Sequence, residues 1–276
     1  MRTGTSMHAR VSINSICFPG VPLAELAGYW KQLRAQRVCL ISQQLSEGVE
    51  PVRRALATGE FRLENLMHVF MPGQQLTPQE AGWCEPRAQL LKLIDAAAEL
   101  GAHSIYMLTG GHGTLTWEEA AAAFSAAIAP CVARARDVGV ALMIENASPL
   151  YADAHIAHTL RDTITLAEQA DIGVCVDIFG CWTEAGLSGS IARAMPRCQL
   201  VQISDYVYGD RSLPSRAVPG DGVIPLRRIM AWMIEAGYAG AFDLELIGPR
   251  IDREGHIEAV GRAGRELGAM LQSLGA

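Results

Sequence analysis

No apolar run in this chain reaches the ~20 residues needed to span a bilayer, so a membrane-embedded protein is not expected. Charge is sparse too: charged residues make up 19%, the net charge is −6, and no block of like charge occurs. Binding a phosphate backbone needs clustered lysine and arginine, so nucleic acid is excluded as a main partner. The seven cysteines (Cys17, Cys39, Cys84, Cys131, Cys175, Cys181 and Cys198) are odd in number and include no CxxC pair. Several sit in apolar runs, as in VCLIS and VCVD, and read as buried free thiols in a reducing compartment. No GxGxxG follows the first apolar run, so a dinucleotide site lacks its fingerprint. The N-terminal MRTGTSMHAR has a basic end but no apolar stretch behind it. Residues 1–9 therefore read as a flexible tail rather than a secretory signal, and the protein as soluble and cytoplasmic.

What is present is an alternation. Short apolar runs (VSINSICF at 11–18, VCLIS at 38–42, LENLMHVF at 63–70, SIYML at 104–108, VALMI at 140–144, GVCV at 173–176, LVQI at 200–203 and AFDLEL at 241–246) are separated by segments with helical spacing. Helices are predicted at 23–36, 49–57, 88–100, 117–138, 159–169, near Ile191, at 225–236 and at 253–274, with a long loop over 71–85. Strict strand-helix alternation implies a parallel sheet. Eight such units in 276 residues, half of them apolar, predict one α/β domain over 10–276, a (β/α)8 TIM barrel. The third run is also compatible with a helix, and an open doubly wound sheet is the structural alternative.

The informative pattern is where the acids fall. Charge is costly inside a buried strand, yet four late strands end in an oxygen-bearing side chain: Glu145, Asp177, Gln202 (followed by Asp205) and Glu245. In a barrel these ends converge on the C-terminal mouth. Isolated strand-end acids often serve as helix caps or loop acceptors, but that does not account for four in consecutive units. Three crowded carboxylates take up protons or bind a cation. With the Gln202 amide they make an all-oxygen donor set suited to one divalent ion, Mn2+ or Mg2+ ahead of Ca2+.

At these residues the chain resembles the xylose isomerase-like TIM-barrel superfamily of sugar phosphate isomerases and epimerases. Relatives in that group include ketose 3-epimerases, inosose dehydratase and 3-dehydroshikimate dehydratase. The resemblance spans most of the chain and rests on IEN (144–146), VD (176–177), QISD (202–205), PGDG (219–222) and DLE (243–245). It implies that Glu145, Asp177, Gln202 and Glu245 hold the metal. It also implies that Glu145 and Glu245 are the catalytic pair that moves protons beside a carbonyl through a metal-stabilised enediolate. Three departures stand out: Gln202 replaces the usual histidine ligand, Gly180 stands where a histidine often follows the aspartate, and ENH is ENA, with Ala147.

Further candidates for substrate binding are His68, His112 in TGGHGT, Trp182, Asp205, and Arg211 or Arg216 in the loop after the seventh strand, where an arginine could clamp an anionic or hydroxyl group. Asn14, His155 and Tyr206 are candidates for supporting roles at the mouth. The expected activity is a metal-dependent isomerase or epimerase acting on a polyhydroxylated carbonyl compound such as a sugar or cyclitol. A lyase or dehydratase using the same enolate is the alternative. An endonuclease IV-like phosphodiesterase would need a histidine-rich zinc cluster and a basic groove, and a non-catalytic sugar-binding barrel would lack metal. The resemblance is also compatible with a homodimer or homotetramer.

Overall fold

The apolar runs become strands because both of their faces are covered, by helices outside and by the barrel interior within. A computed structural model describes residues 6–276. Its strands are β1 (Val11–Asn14), β2 (Arg37–Ile41), β3 (Arg62–Val69), β4 (Ser104–Leu108), β5 (Ala141–Glu145), β6 (Gly173–Asp177), β7 (Cys198–Ile203) and β8 (Phe242–Leu244). All neighbours pair in parallel, and β8 returns to β1 to close the barrel, which excludes the open sheet. The helices are α1 (Leu23–Leu33), α2 (Val49–Ala57), α3 (Cys84–Leu100), α4 (Trp117–Asp137), α5 (Leu160–Ala170), α6 (Ile178–Cys181), α7 (Leu187–Ala194), α8 (Leu226–Glu235), α9 (Pro249–Glu254) and α10 (His256–Ser273).

Two elements differ from the sequence-based expectation, and a third, left ambiguous, takes its expected form. The first strand stops at Asn14, because its side-chain oxygen accepts from the Ile16 amide and starts a short 3-10 turn. The ambiguous third run is a strand. It buries Glu64 against Arg37 and Asn65 completely, positions that an outer helix would have exposed. The final helix is two helices, broken at Gly255, whose φ of 93° belongs to glycine. At the other end of the chain, residues 1–5 of the expected tail lie outside the described residues, and Met7 is buried against the barrel.

The interior of the barrel carries its own small cluster of Cys39, Tyr106, Met143, Cys175 and Leu200. Side chains from successive strands fill the lumen, so it forms a floor rather than a pore. Six of the seven cysteines are buried and all are free; Cys84 is exposed. Among the described residues no helix is long and apolar enough to cross a membrane.

Asp205, just past β7, organises the loop that leads to α8. Its carboxylate accepts from the backbone amides of Tyr206, Gly220, Gly222 and Ile224 at 2.8–3.0 Å. That explains the PGDG run. A Cβ at Gly222 would stand 2.3 Å from the Asp205 carboxylate and from the Tyr206 carbonyl oxygen. Gly222→Ala is therefore expected to cost about 1–3 kcal/mol, as overpacking does, measurable as a lowered midpoint in urea unfolding. An unchanged midpoint would show that the loop can relax.

Candidate functional site

Parallel closure brings the four strand-end residues together. Glu145 and Asp177 end β5 and β6, Gln202 lies near the end of β7, and Glu245 follows β8. All are buried, at 7% exposure or less. Register places Asp177 beside Gln202. Asn146 clips two of these ends together: its amide nitrogen donates to the Asp177 carbonyl at 2.8 Å and its oxygen accepts from the Asp177 amide at 3.0 Å. Here lies the reason for Gly180. A Cβ there would sit 2.7 Å from the Asn146 amide nitrogen, so a histidine at that position would displace the clip.

Arg216, from the loop after β7, is the buried counter-charge. Its guanidinium donates to both Asp177 oxygens at 2.9 Å, to Glu245 Oε1 at 3.2 Å and to Ser204 Oγ at 3.0 Å, and it lies 4.3 Å over the Phe179 ring. Burial would lower its pKa, but Asp177 and Glu245 outweigh that and hold it charged. Gln202 donates its amide to Glu245 Oε2, and its own oxygen accepts from the Cys175 thiol.

Two of the carboxyls remain under electrostatic pressure. Burial, with Glu245 and Asp177 nearby, pushes the Glu145 pKa well above the usual carboxylate range. Glu245 is also raised by burial, but Arg216 and the Gln202 amide pull the other way. Among the described residues nothing donates a hydrogen bond to the Glu145 carboxyl. Nor do any three His, Cys, Asp or Glu side chains among them already surround one point as metal ligands.

These groups open onto a cavity of about 170 Å3. Glu145, Asp177, Arg216 and Glu245 form one side of it, with Tyr106, Tyr151 and apolar side chains around the rest. Gln202 is fully buried and bonded to Glu245, and is not part of the wall. The other candidates sit elsewhere. Asp205 holds its loop. Trp182 packs on Tyr206, with ring centroids 6.3 Å apart. His112 has Nδ1 3.0 Å from the Leu115 carbonyl oxygen in its turn. Arg211 is exposed. The Tyr206 hydroxyl donates to the Asp210 carbonyl. Asn14 donates to the Tyr106 hydroxyl and to Asp243, both at 2.9 Å, beneath the cavity.

Two histidines are buried and neutral. His155 Nδ1 accepts from the Thr109 amide at 3.1 Å, which leaves Nε2–H to donate to the Glu145 carbonyl at 2.8 Å. Burial pushes its pKa down to about 3, and its bonds fix the backbone that carries Glu145. His68 lies near Ser42 Oγ at 3.1 Å, with its pKa lowered by burial to about 4. Because the folded pKa is depressed, the unfolded chain binds the extra proton once the pH drops below ~6.5. Relative to His68→Gln, the parent should lose about tenfold in its folding equilibrium constant per pH unit between there and about 4. Urea titrations of both proteins across that window test this, and a pH-independent difference would refute it.

Sequence reasoning missed Tyr106, Tyr151 and Phe179. Tyr106 was accessible, since alternation along SIYML puts it on the same face as Ser104 and Leu108. Tyr151 and Phe179 sit in a turn and a short helix beyond the strands, where no periodicity reports direction.

The model of the xylose isomerase-like TIM barrel matches residues 29–268. The chain belongs to that family. Among solved structures, protein SMc04130 from Sinorhizobium meliloti 1021 is 25% identical, over 94% of this chain and 97% of that one, with a TM-score of 0.82. The IolI protein with a bound zinc atom is 15% identical over 96% and 98%, with a TM-score of 0.81. D-psicose 3-epimerase, in the presence of D-fructose, is 15% identical over 97% and 100%, with a TM-score of 0.77. The last two likenesses are of fold. No curated protein matches the chain. Within the family, this member's mouth has Arg216 on Asp177 and Glu245, with Gln202 behind Glu245.

Proposed function

We propose that the protein is a divalent-metal-dependent isomerase or epimerase acting on a hydroxy-ketone. The observation that carries this is the buried charge at the mouth: three carboxyls from the ends of β5, β6 and β8 share one guanidinium, which bonds two of them, and among the described residues Glu145 has no donor. Fully ionised, that set leaves two negative charges out of water, which fits a dication. Glu145, Asp177, Gln202 and Glu245 would hold it, with hard oxygen donors favouring Mn2+ or Mg2+. Gln202 would have to turn its amide over to present oxygen, since its nitrogen faces Glu245. When bound, such an ion supplies a Lewis acid that polarises a carbonyl.

The chain's own groups then divide the proton work. Burial and neighbouring acids raise Glu145 further than Glu245, which suits Glu145 as the acid of the pair. Glu245, kept more acidic by Arg216 and Gln202, is the base that removes the hydrogen beside the carbonyl. Glu145 then returns a proton to the same carbon or to its neighbour. The Asn146 clip and the His155–Glu145 bond fix the backbone at Asp177 and Glu145, while Arg216 binds both Asp177 oxygens and Glu245. With a leaving group one carbon further on, the same abstraction ends in elimination.

Metal dependence is tested by adding Mn2+ or Mg2+ to chelator-treated protein. A hundredfold excess over the dissociation constant should raise stability by about 2.7 kcal/mol, read as an upward thermal shift. No shift with any divalent ion would remove the metal from the proposal.

A further inference from the structure

We infer that the substrate is an uncharged hydroxy-ketone of single-ring size with few hydroxyl groups, not a phosphorylated or fully hydroxylated sugar. This rests on the proposed enolising function and narrows its substrate. The cavity, about 170 Å3, is smaller than the ~300–1,000 Å3 pockets that take drug-sized ligands. Its charged groups are clustered. The acids and Arg216 occupy one side, where a carbonyl and its neighbouring hydroxyl would be held. The apolar wall is Ile16, Met67, Leu108, Ala147, Leu213 and Ile247, with Phe179 beneath Arg216.

The neutral hydrogen-bonding side chains are few and partly used. The Tyr106 hydroxyl accepts from Asn14, and Ser148 Oγ accepts from the Leu150 amide, leaving Tyr151 and Ser215 as further neutral partners. A ring bearing hydroxyls all round would bury several of them against hydrocarbon, and each buried unpaired hydroxyl is disfavoured. Rejection of one added hydroxyl by such a wall is worth up to about a hundredfold.

Charge gives the second half of the inference. Among the described residues Arg216 is the only cation lining the cavity, and both of its terminal nitrogens are engaged by Asp177, Glu245 and Ser204. Among the described residues no lysine, second arginine or histidine lines the wall to receive a phosphate or carboxylate. Bringing such a group beside three carboxyls would add like charge in a buried space.

A matched set of ligands tests this on the full chain in Mn2+-containing buffer. 2-Hydroxycyclohexanone and 2-keto-myo-inositol share a six-membered ring and a ketone but differ in hydroxylation, and D-fructose 6-phosphate adds the anion. Saturation-transfer NMR titration should show 2-hydroxycyclohexanone binding about tenfold or more tighter than the inosose, with no saturable binding of the phosphate ester. Equal or tighter binding of the inosose or the phosphate ester, or no saturable binding of 2-hydroxycyclohexanone, overturns the inference. Leu108→Asn, which places an amide in the apolar wall, should shift the ratio severalfold toward the inosose; an unmoved ratio also counts against it. Deuterium incorporation at the α-carbon in heavy water separates the two readings. Binding in the expected order with no exchange for either ketone sinks enolisation but leaves the ligand class standing. Exchange confined to the inosose does the reverse.

Discussion

Glu145→Gln and Glu245→Gln should each lower the rate of α-hydrogen exchange by about 10^2–10^4, the range that a positioned general acid or base contributes. Glutamine keeps an oxygen donor and nearly the same volume but cannot carry the proton. The loss should therefore fall on turnover more than on substrate affinity. Neither variant is expected to unfold the protein. Burial and neighbouring acids already disfavour charge at both positions, so a neutral amide relieves repulsion, and thermal midpoints should stay level or rise. The measurement is solvent deuterium incorporation with calorimetric midpoints recorded alongside. A double variant that exchanges at the parental rate would eliminate the pair as the proton carriers.

Arg216→Met should cost about 3–5 kcal/mol in the presence of chelator, the usual penalty for removing one partner of a buried ion pair. Arg216 is 9% exposed and bonds both oxygens of Asp177, so its loss strands a carboxylate that is only 2% exposed. Arg216→Lys should recover only part of this, because a point charge cannot reproduce the two-pronged bond. The metal proposal adds a sign to the experiment. Without the guanidinium the three carboxyls have no counter-charge, so Mn2+ should stabilise Arg216→Met more than it stabilises the parent. Urea unfolding with and without Mn2+ reads both effects. A variant as stable as the parent in chelator would mean that Asp177 finds another partner or takes up a proton.

Much of the site could be read before the fold was known because it uses a local rule. An oxygen-bearing residue that ends an apolar strand has one place to go in a parallel barrel, and Glu145, Asp177, Gln202 and Glu245 share that address. The same rule is silent about side chains that approach from loops. Arg211 and Arg216 lie five positions apart in one segment, and nothing in their spacing distinguishes them. One is exposed, while the other crosses the mouth to two strands that lie 39 and 29 residues away in sequence. Asp205 reads as a mouth residue by position, yet four backbone amides claim its carboxylate. Gly180 reads as a missing histidine, and its reason is the Asn146 amide packed against it.

The amino-acid order alone thus determined the alternation of strands and helices, the parallel sense of the sheet, and the strand end at which each oxygen emerges. Those follow from hydrophobic period and from the cost of charge within a buried strand, both of which act along the chain. Only the tertiary structure decided which arginine neutralises the acids, which histidine holds Glu145 by its backbone, and that hydrocarbon lines most of the cavity. Each depends on contacts between segments far apart in sequence, whose distances no local pattern encodes.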